Sequence, residues 1–476
     1  MIKTDTNSVD VVIIGAGIGG LVCGCYLAKS GMKVLIAEHH FKPGGYCTSF
    51  KRKDFIFDAA AHSFGSCREG GIMNKVIKDM NLDKSLKITR HDPSDTIISP
   101  DYKISFWSDI NRTVQEFQKA FHHQSDGIKK FFLFLLNSNP SDLISLRNKT
   151  FQDLLNQYFS DEKLKSILSF PVLGNGGLPP SQISAFTAVK IYTEFLLDGG
   201  YYPEDSMQSL SDALAEKFKT FGGELLLSCK VKKITVKDGM VVGVVLDKNN
   251  RLSSRCVVSN CDARQTYFDL LGPRVVNKEY LHKLASIIPS HSVYVAYLGI
   301  DQYYEDLPKP GVNVWIMPHY DIEKMYHLLT NKGIHESTGF MMRMSPNKKS
   351  LQAFVNAPFK NKKYWSENKY AFLDDFIRQI EKLIPGVSKH IVFKDAGTPY
   401  TMYRYTLNYK GAAYGWASIP SQFTDPYLKT GSSIRGLYTA GHWSSQAQGI
   451  PGVAYMGLDA AKSILKKNYH GAKNGM

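Results

Sequence analysis

The chain of 476 residues lacks most of the features that would place it outside the ordinary globular class. No uninterrupted apolar run approaches the ~18–20 residues that cross a bilayer as a helix, so an integral membrane protein is not expected. Cysteine is sparse: the seven are Cys23, Cys25, Cys47, Cys67, Cys229, Cys256 and Cys261. Their number is odd and no C-x-x-C pair occurs, which argues against a disulfide framework or a zinc site. No Ser-His-Asp order, zinc spacing or paired-carboxylate motif competes for the chemistry, and no metal ligands are assigned. Acidic residues are also short, with 43 Asp and Glu against 58 Lys and Arg, a formal charge of +15. That excess would suit nucleic acid or an anionic membrane, but the basic residues are scattered and no nucleic-acid-binding motif accompanies them. No nucleic-acid partner is expected. The polar start, MIKTDTNSVD, has no secretory or anchoring pattern, and a cytoplasmic location is expected.

What is present begins at residues 10–40, DVVIIGAGIGGLVCGCYLAKSGMKVLIAEHH. Residues 11–14 form an apolar run of the kind buried on both faces of a parallel sheet. Gly15, Gly17 and Gly20 then fit G-x-G-x-x-G: a tight turn, a close approach to a pyrophosphate, and close helix–strand packing. A helix over 21–29 would aim its free N–H groups at the phosphate. A second strand at 33–37 ends in Glu38, where a carboxylate can hold ribose hydroxyls. An acid here disfavours a 2′-phosphate, which leaves FAD or NAD. The segment that follows, HHFKPGGYCTSFKRKDFIFDAAAHSF, does not continue into a compact second mononucleotide half. It gives a flexible Gly44-Gly45 turn, a short strand at 55–57, and small residues Ala59–Ala61 that would let backbone pass close to a flat ring.

VVIIGAGIGGL, Glu38 and Pro43-Gly44-Gly45 together resemble the FAD fingerprint of glutathione-reductase-type flavoproteins. PGGYCTSF and FIFDAAAHSF resemble the phytoene desaturase and carotenoid isomerase family, which also holds retinol saturases and is related to the amine oxidases. The resemblance implies an α/β fold: a Rossmann FAD-binding domain with an interleaved α+β substrate domain of antiparallel sheet and helices. The corresponding division gives 1–64, 201–262 and 431–476 to the FAD-binding domain, and 65–200 and 263–430 to the substrate domain. The cofactor-binding positions it implies are Gly15, Ala16, Gly17, Ile18, Gly20, Glu38, His39, Gly45, Tyr46 and His62. To these it adds Val231, whose backbone would meet the adenine, and Gly441, His442, Gly449, Ile450 and Val453.

The last five belong to GLYTAGHWSSQAQGIPGV at 436–453, a second strand-to-helix turn rich in glycine. In the family this stretch returns the chain to the nucleotide sheet, and Gly449–Gly452 opens a helix whose N-terminus faces the flavin. An NAD dehydrogenase has no need of it, so FAD is the expected cofactor. His442 stands where many such flavoproteins carry an aspartate on the ribityl chain, which leaves that contact open. His442-Trp443 could instead shape the ring's surroundings or the end of a substrate tunnel.

Elsewhere, 201–223 reads as a helix with Leu210, Leu214 and Phe218 at four-residue spacing. Strands are expected at 224–228, 231–236, 240–246 and 255–258, and in the second domain at 292–300, 312–317, 339–344 and 351–356. A helix is expected at 365–383, and helices are expected over one face of the second sheet. GNGGLPPSQ at 174–182 reads as a loop, not a second dinucleotide site. The tyrosine-rich stretches 190–207 and 398–416 suit either a long apolar tunnel or ordinary packing; the family pattern from Arg404 to Trp416 favours the tunnel for the second. KKFFLFLL at 129–136 suits either a core helix or an interfacial helix, with the basic tail 465–473 adding attraction to anionic lipid.

The expected activity is therefore FAD-dependent desaturation, saturation or cis–trans isomerisation of C=C bonds in a long polyene or isoprenoid lipid, by hydride transfer at flavin N5. The expected partners are that hydrophobic substrate, a membrane surface bound peripherally, and an electron acceptor that is oxygen, quinone or NAD(P). Candidate acid–base residues are His62, Arg404 and His442, because histidine is a proton carrier near neutrality; all three could equally bond only flavin or backbone. An amine or other small-molecule oxidase of the same fold is the enzymatic alternative. A flavin-free lipid binder resembling the Rab GDP-dissociation inhibitors is the non-enzymatic one.

Overall fold

The computed structural model describes residues 8–332, 336–423, 434–445 and 448–473. The first seven residues, Gln446 and Ala447 of the late glycine-rich stretch, and the side chains of the basic tail beyond Lys467 lie outside the described residues. Two seven-stranded sheets organise the molecule.

The first grows from the buried run Val11–Ile14. Its strand, Ser8–Ile14, lies between Val34–Ala37 and Arg251–Ser259 and is parallel to both. Glu224–Leu226 extends the sheet in parallel beyond Val34–Ala37. Leu437–Thr439 pairs in parallel with the second half of Arg251–Ser259, and the hairpin Val231–Lys237/Met240–Leu246 runs antiparallel against its first half. The carboxyl ends at Ile14, Ala37, Ser259 and Thr439 thus converge on one edge, where ligands bind in open α/β sheets. Helix Ile18–Lys29 is buried nearly all round, wedged between Met207–Thr220 and Gly449–Lys473. It fits because glycines face glycines: a Cβ on Gly457 would stand 2.2 Å from the Gly19 carbonyl oxygen. The helix expected over 201–223 is shorter, since Tyr201–Pro203 pairs as a strand with Ile88–Arg90.

The second sheet runs Ile391–Gly397, Ser292–Ile300, Ser350–Ala357, Phe340–Met344, Asn313–Ile316, Asp95–Ile98, Lys103–Phe106. All neighbours are antiparallel except Asn313–Ile316 with Asp95–Ile98. Contrary to the expectation of one covered face, both faces are buried. Tyr294, Ala296 and Leu298 pack under helix Lys362–Leu383 through Trp365, Leu373 and Phe376. Val293, Val295 and Tyr297 face a second cluster that holds Phe131, Phe132, Phe151, Leu154 and Phe170. Continuous burial of Ser292–Ile300, Phe340–Met344 and Ser350–Ala357 explains why these strands are mostly apolar without a polar alternate face; the polar side chains they carry, Arg343, Gln352 and Asn356 among them, are buried as well. KKFFLFLL falls in helix Ser125–Asn137, which buries Ile128, Phe131, Phe132 and Leu135 as a core helix while Leu133 and Leu136 stay exposed.

Candidate active site

At the end of Ser8–Ile14 the chain turns at Gly15, with φ +95°, a conformation that suits glycine. Gly17 begins helix Ile18–Lys29 in extended conformation, and no side chain caps the helix. Its first N–H groups are therefore offered to whatever lies beyond the turn. Gly20 does not line that space; a Cβ there would sit 2.2 Å from the Gly15 oxygen, so its role is packing. Ala16 is likewise turned away, and its N–H donates to Glu38 Oε2 at 2.7 Å. Glu38 Oε1 accepts from the His40 N–H at 2.8 Å and pairs with His39 Nδ1 at 2.9 Å. Burial opposes the charge on Glu38, but the His39 ring and the His40 and Ala16 N–H groups outweigh it and hold the carboxyl below its ordinary range.

The loop Pro43-Gly44-Gly45 lies against this turn. Gly44 N–H donates to the Ala16 oxygen at 2.8 Å, and Gly44 and Gly45 both have positive φ. The late glycine-rich stretch arrives from the other side. Ala440 N–H donates to the Ser259 oxygen at 2.9 Å, Gly441 adopts φ +75°, and Gly449 opens helix Gly449–Lys473 with φ +70°. Between the two turns stands Asn260, a residue the sequence reading passed over. Its Nδ2 reaches the Gly15 oxygen at 3.3 Å, while its Oδ1 is shielded from water with no partner among the described residues. Side chains on Gly19 or Gly441 would collide with that Oδ1, at 2.7 and 2.6 Å. The signal for Asn260 was its place at the carboxyl end of the strand beside Ser8–Ile14.

One cavity of about 1080 Å³ runs from this cradle into the second sheet. Of the expected cofactor positions, Gly15, Gly17, Ile18, Glu38, His39, Gly45, Tyr46, His62 and Val231 line it, as do Gly441, His442, Gly449, Ile450 and Val453. The far lobe is walled by Phe170, Leu173, Phe195, Trp315, Met341 and Phe354, among others. Most tyrosines expected there lie elsewhere: Tyr192 is core, with its hydroxyl on the Leu168 oxygen at 2.6 Å, and Tyr202 bonds Asp58 at 2.7 Å. Of the two stretches only Tyr405 and Tyr414 contribute tyrosine rings to the wall. The residues 174–176 close helix Glu162–Gly176 instead of forming a loop, and Gly177 caps it left-handed. Gly174 is needed because the six-membered ring of Trp315 lies against it; a Cβ would be 2.1 Å from the indole. Trp315 Nε1 is in turn anchored to the buried Asp95 at 2.8 Å.

The three acid–base candidates separate. His62 lines the cavity, 4.9 Å from the Phe354 ring and 6.0 Å from Phe195 between centroids. Its Nε2 has no partner among the described residues. Burial, aided by the nearby Arg343 cation, pushes its pKa down to about 3. His442 lies 6.1 Å from the Tyr46 ring, and burial pushes its pKa down to about 4. Both are therefore neutral at pH 7, and neither carries the proton expected of a histidinium acid. Arg404 does not reach the cavity at all. It is exposed on helix Pro399–Thr406 with its guanidinium on the Tyr405 ring, because only the end of that helix, from Tyr405 onward, turns toward the cavity. Trp443 is a pillar, not a tunnel end: its Nε1 donates to Asn408 Oδ1 at 2.8 Å and its ring meets Trp416 edge-on.

The donor set fits a dinucleotide. Two turns with positive-φ glycines, the first opening an uncapped helix, the unpartnered Asn260 Oδ1, and Glu38 at the next strand's end form a cradle that a side chain at Gly19 or Gly441 would fill.

Comparison with known proteins agrees. A family model described as flavin containing amine oxidoreductase matches residues 18–465. An all-trans-retinol 13,14-reductase of Danio rerio is 22% identical over 98% of this chain and 87% of that protein. A chloroplastic prolycopene isomerase of an Oncidium hybrid cultivar is 25% identical over 97% of this chain and 84% of its own. Among solved structures, an oxidoreductase from Methanosarcina mazei superposes with a TM-score of 0.67 at 18% identity, covering 95% of this chain and all of that one. A putrescine oxidase with putrescine bound gives 0.66 at 14% identity, covering 96% and 99%. The structural likenesses establish the shared fold.

Proposed function

The chain belongs to the flavin containing amine oxidoreductase family, and from that premise we propose that it is an FAD-dependent enzyme acting on the double bonds of a long hydrophobic polyene. The observation that carries this reading is the single cavity that joins a dinucleotide cradle to an aromatic and aliphatic lobe. The named activities of the retinol reductase and prolycopene isomerase relatives support it.

The residues that would hold FAD are Gly15 and Gly17 with the helix start behind them, Glu38 toward a ribose, and Val231 toward the adenine. Gly441 and the Gly449–Val453 helix start would lie toward the flavin. When bound, FAD supplies a reversible two-electron centre for hydride exchange. The chain's own side chains orient the polyene and exclude water. Phe195, Phe354 and Trp315 pack a flat conjugated chain with no polar group to desolvate. His62, neutral and with one ring nitrogen unpartnered, sits where the polyene would meet the cofactor. In that state it can offer one hydrogen bond, as donor or acceptor according to tautomer, but not a positive charge.

An amine substrate fits less well. The charged side chains of the far lobe are Arg68, Arg147 and Lys190 against Glu194, and Glu194 is already held by Arg68 at 2.9 Å. A protonated amine would meet positive charge. Access from a membrane is the further part of the proposal. No helix among the described residues is long and apolar enough to span one, but Leu133, Leu136 and Ile144 are exposed, with Lys129 and Lys130 beside the first two. Ile144 and Leu143 also line the cavity, so a surface-bound lipid would have a short way in.

The test is incubation of flavin-loaded enzyme with polyenes and amines, with products weighed by mass spectrometry and peroxide measured. The reading expects polyene products shifted by two hydrogens, or geometric isomers of unchanged mass. Amine turnover with peroxide release and unaltered polyenes would refute it.

A further inference from the structure

The far lobe carries polar groups that hydride chemistry on a hydrocarbon does not use. They come from one face of the helical segment that starts at Ala185: Phe186, Thr187, Lys190, Ile191, Glu194 and Phe195 all line the cavity, at the spacing of a single helix stripe. Phe195 lies near His62, and Phe186 is about two and a half turns away. At that remote end Arg147 lays its guanidinium over the Phe186 ring, 5.3 Å from its centroid.

Three observations along this stripe lack an explanation within the protein. Thr187 is 4% exposed, yet its Oγ1 has no hydrogen-bond partner among the described residues. A helical threonine ordinarily bonds the carbonyl one turn back. The Arg147 Nε is shielded from water and also unpartnered among the described residues. Among the described residues Lys190 reaches only Glu194 Oε1, at 3.4 Å, an oxygen that already accepts from Arg68 at 2.9 Å. Arg68 is further paired with Asp198 at 3.0 Å. Three cations thus face two carboxylates, with one positive charge and two shielded polar atoms left over. Leaving such atoms unmade is costly, and a monoanion with two acceptor oxygens would complete the set.

We propose that Arg147, Thr187 and Lys190 bind a carboxylate at the end of the polyene, so that the substrate is an amphiphile with an acidic terminus instead of a plain hydrocarbon. The acid would anchor the chain at the end of the lobe remote from His62 and so fix which double bond reaches the cofactor. This rests on the polyene reading above.

The test uses flavin-loaded enzyme and measures equilibrium binding of all-trans-retinoic acid and of its methyl ester, which has the same polyene but no charge. The acid is expected to bind about tenfold or more tighter than the ester. In Lys190→Gln and in Arg147→Gln, each checked for normal flavin absorbance, the ratio of acid to ester affinity is expected to fall toward one. Thr187→Val reduces it by a smaller step. Equal, tight binding of acid and ester by the parent enzyme overturns the carboxylate site and leaves the polyene reading intact. A ratio unchanged in both cation variants overturns the assignment to these residues. Failure of the parent enzyme to bind either probe contradicts the polyene reading itself, and the carboxylate site with it.

Discussion

The two ends of the cavity are built by different means. The cradle is mostly backbone: positive-φ glycines, helix N–H groups and strand ends from three short stretches around Gly15, Gly44 and Gly441, with the side chains of Glu38 and Asn260 beside them. The far lobe is side chain: Phe170, Phe195, Trp315 and Phe354 come from four separate segments, two of them strands, one an α-helix and one the π-helical turn Tyr192–Leu196. A backbone site tolerates almost no added volume at its glycines and is indifferent to most other substitutions. A side-chain site can be reshaped residue by residue, so the substrate can change while the cofactor stays.

That contrast breaks most severely at Gly441. Gly441→Leu combines a conformation disfavoured for L-residues, costing ~1–3 kcal/mol, with a Cβ 2.6 Å from Asn260 Oδ1. The purified variant is expected to be colourless, with no flavin absorbance and no activity. Wild-type flavin content would show that the late turn does not hold the cofactor. The opposite signature is expected at Gly174→Leu, where the new side chain drives Trp315 into the far lobe. Flavin content should match the parent while polyene turnover drops at least ~10-fold, a loss of about 1.4 kcal/mol or more; turnover equal to the parent would remove Trp315 from the substrate wall.

Acidity sharpens the comparison by a smaller margin. Glu38 has a folded pKa below its ordinary 4.5. Its contribution is therefore full above that value and is lost as pH falls through the depressed pKa. His62 and His442 have folded values of about 3 and 4 against 6.5. Between pH 6.5 and those values the unfolded chain binds more protons, so stability declines as pH falls across that window. Melting temperature should drop from pH 7 to pH 4 in the parent and drop less in His62→Phe. The smallest effect is expected at Arg404→Ala. That residue is exposed and outside the cavity, so stability should stay within about 0.5 kcal/mol, with flavin content and turnover unchanged.

Legibility in the sequence followed the same division. The cradle could be read because glycine spacing, flanking apolar strands and Glu38 are local signals, and 14 of the expected cofactor positions do line the cavity. Ala16 and Gly20 do not, since a motif gives positions along the chain and not which atoms face out. Asn260 was missed because its importance comes from two loops meeting across it. The far lobe was hardly legible. Its wall residues look like any core phenylalanine or tryptophan, and the tyrosines that drew notice at 190–207 serve packing and the Asp58 network. Arg404 matched a family pattern, yet its helix turns it to solvent. His62 and His442 both line the cavity, but their protonation depends on burial and, for His62, on Arg343, far along the chain. The second sheet's strands were found to within a residue or two at 292–300, 313–316, 340–344 and 350–357, where burial on both faces keeps the segments mostly apolar. Short strands at Asp95–Ile98, Lys103–Phe106 and Ile391–Gly397 carry polar residues and escaped notice.

The central claim is that one cavity brings a polyene to FAD. The most direct measurement is reaction of the flavin-loaded enzyme with a polyene panel, products resolved by mass and geometry, with flavin-free Gly441→Leu as control. The account predicts products differing by two hydrogens, or rearranged at constant mass, from the flavin-loaded enzyme alone. Unaltered polyenes alongside amine oxidation and peroxide release would contradict it.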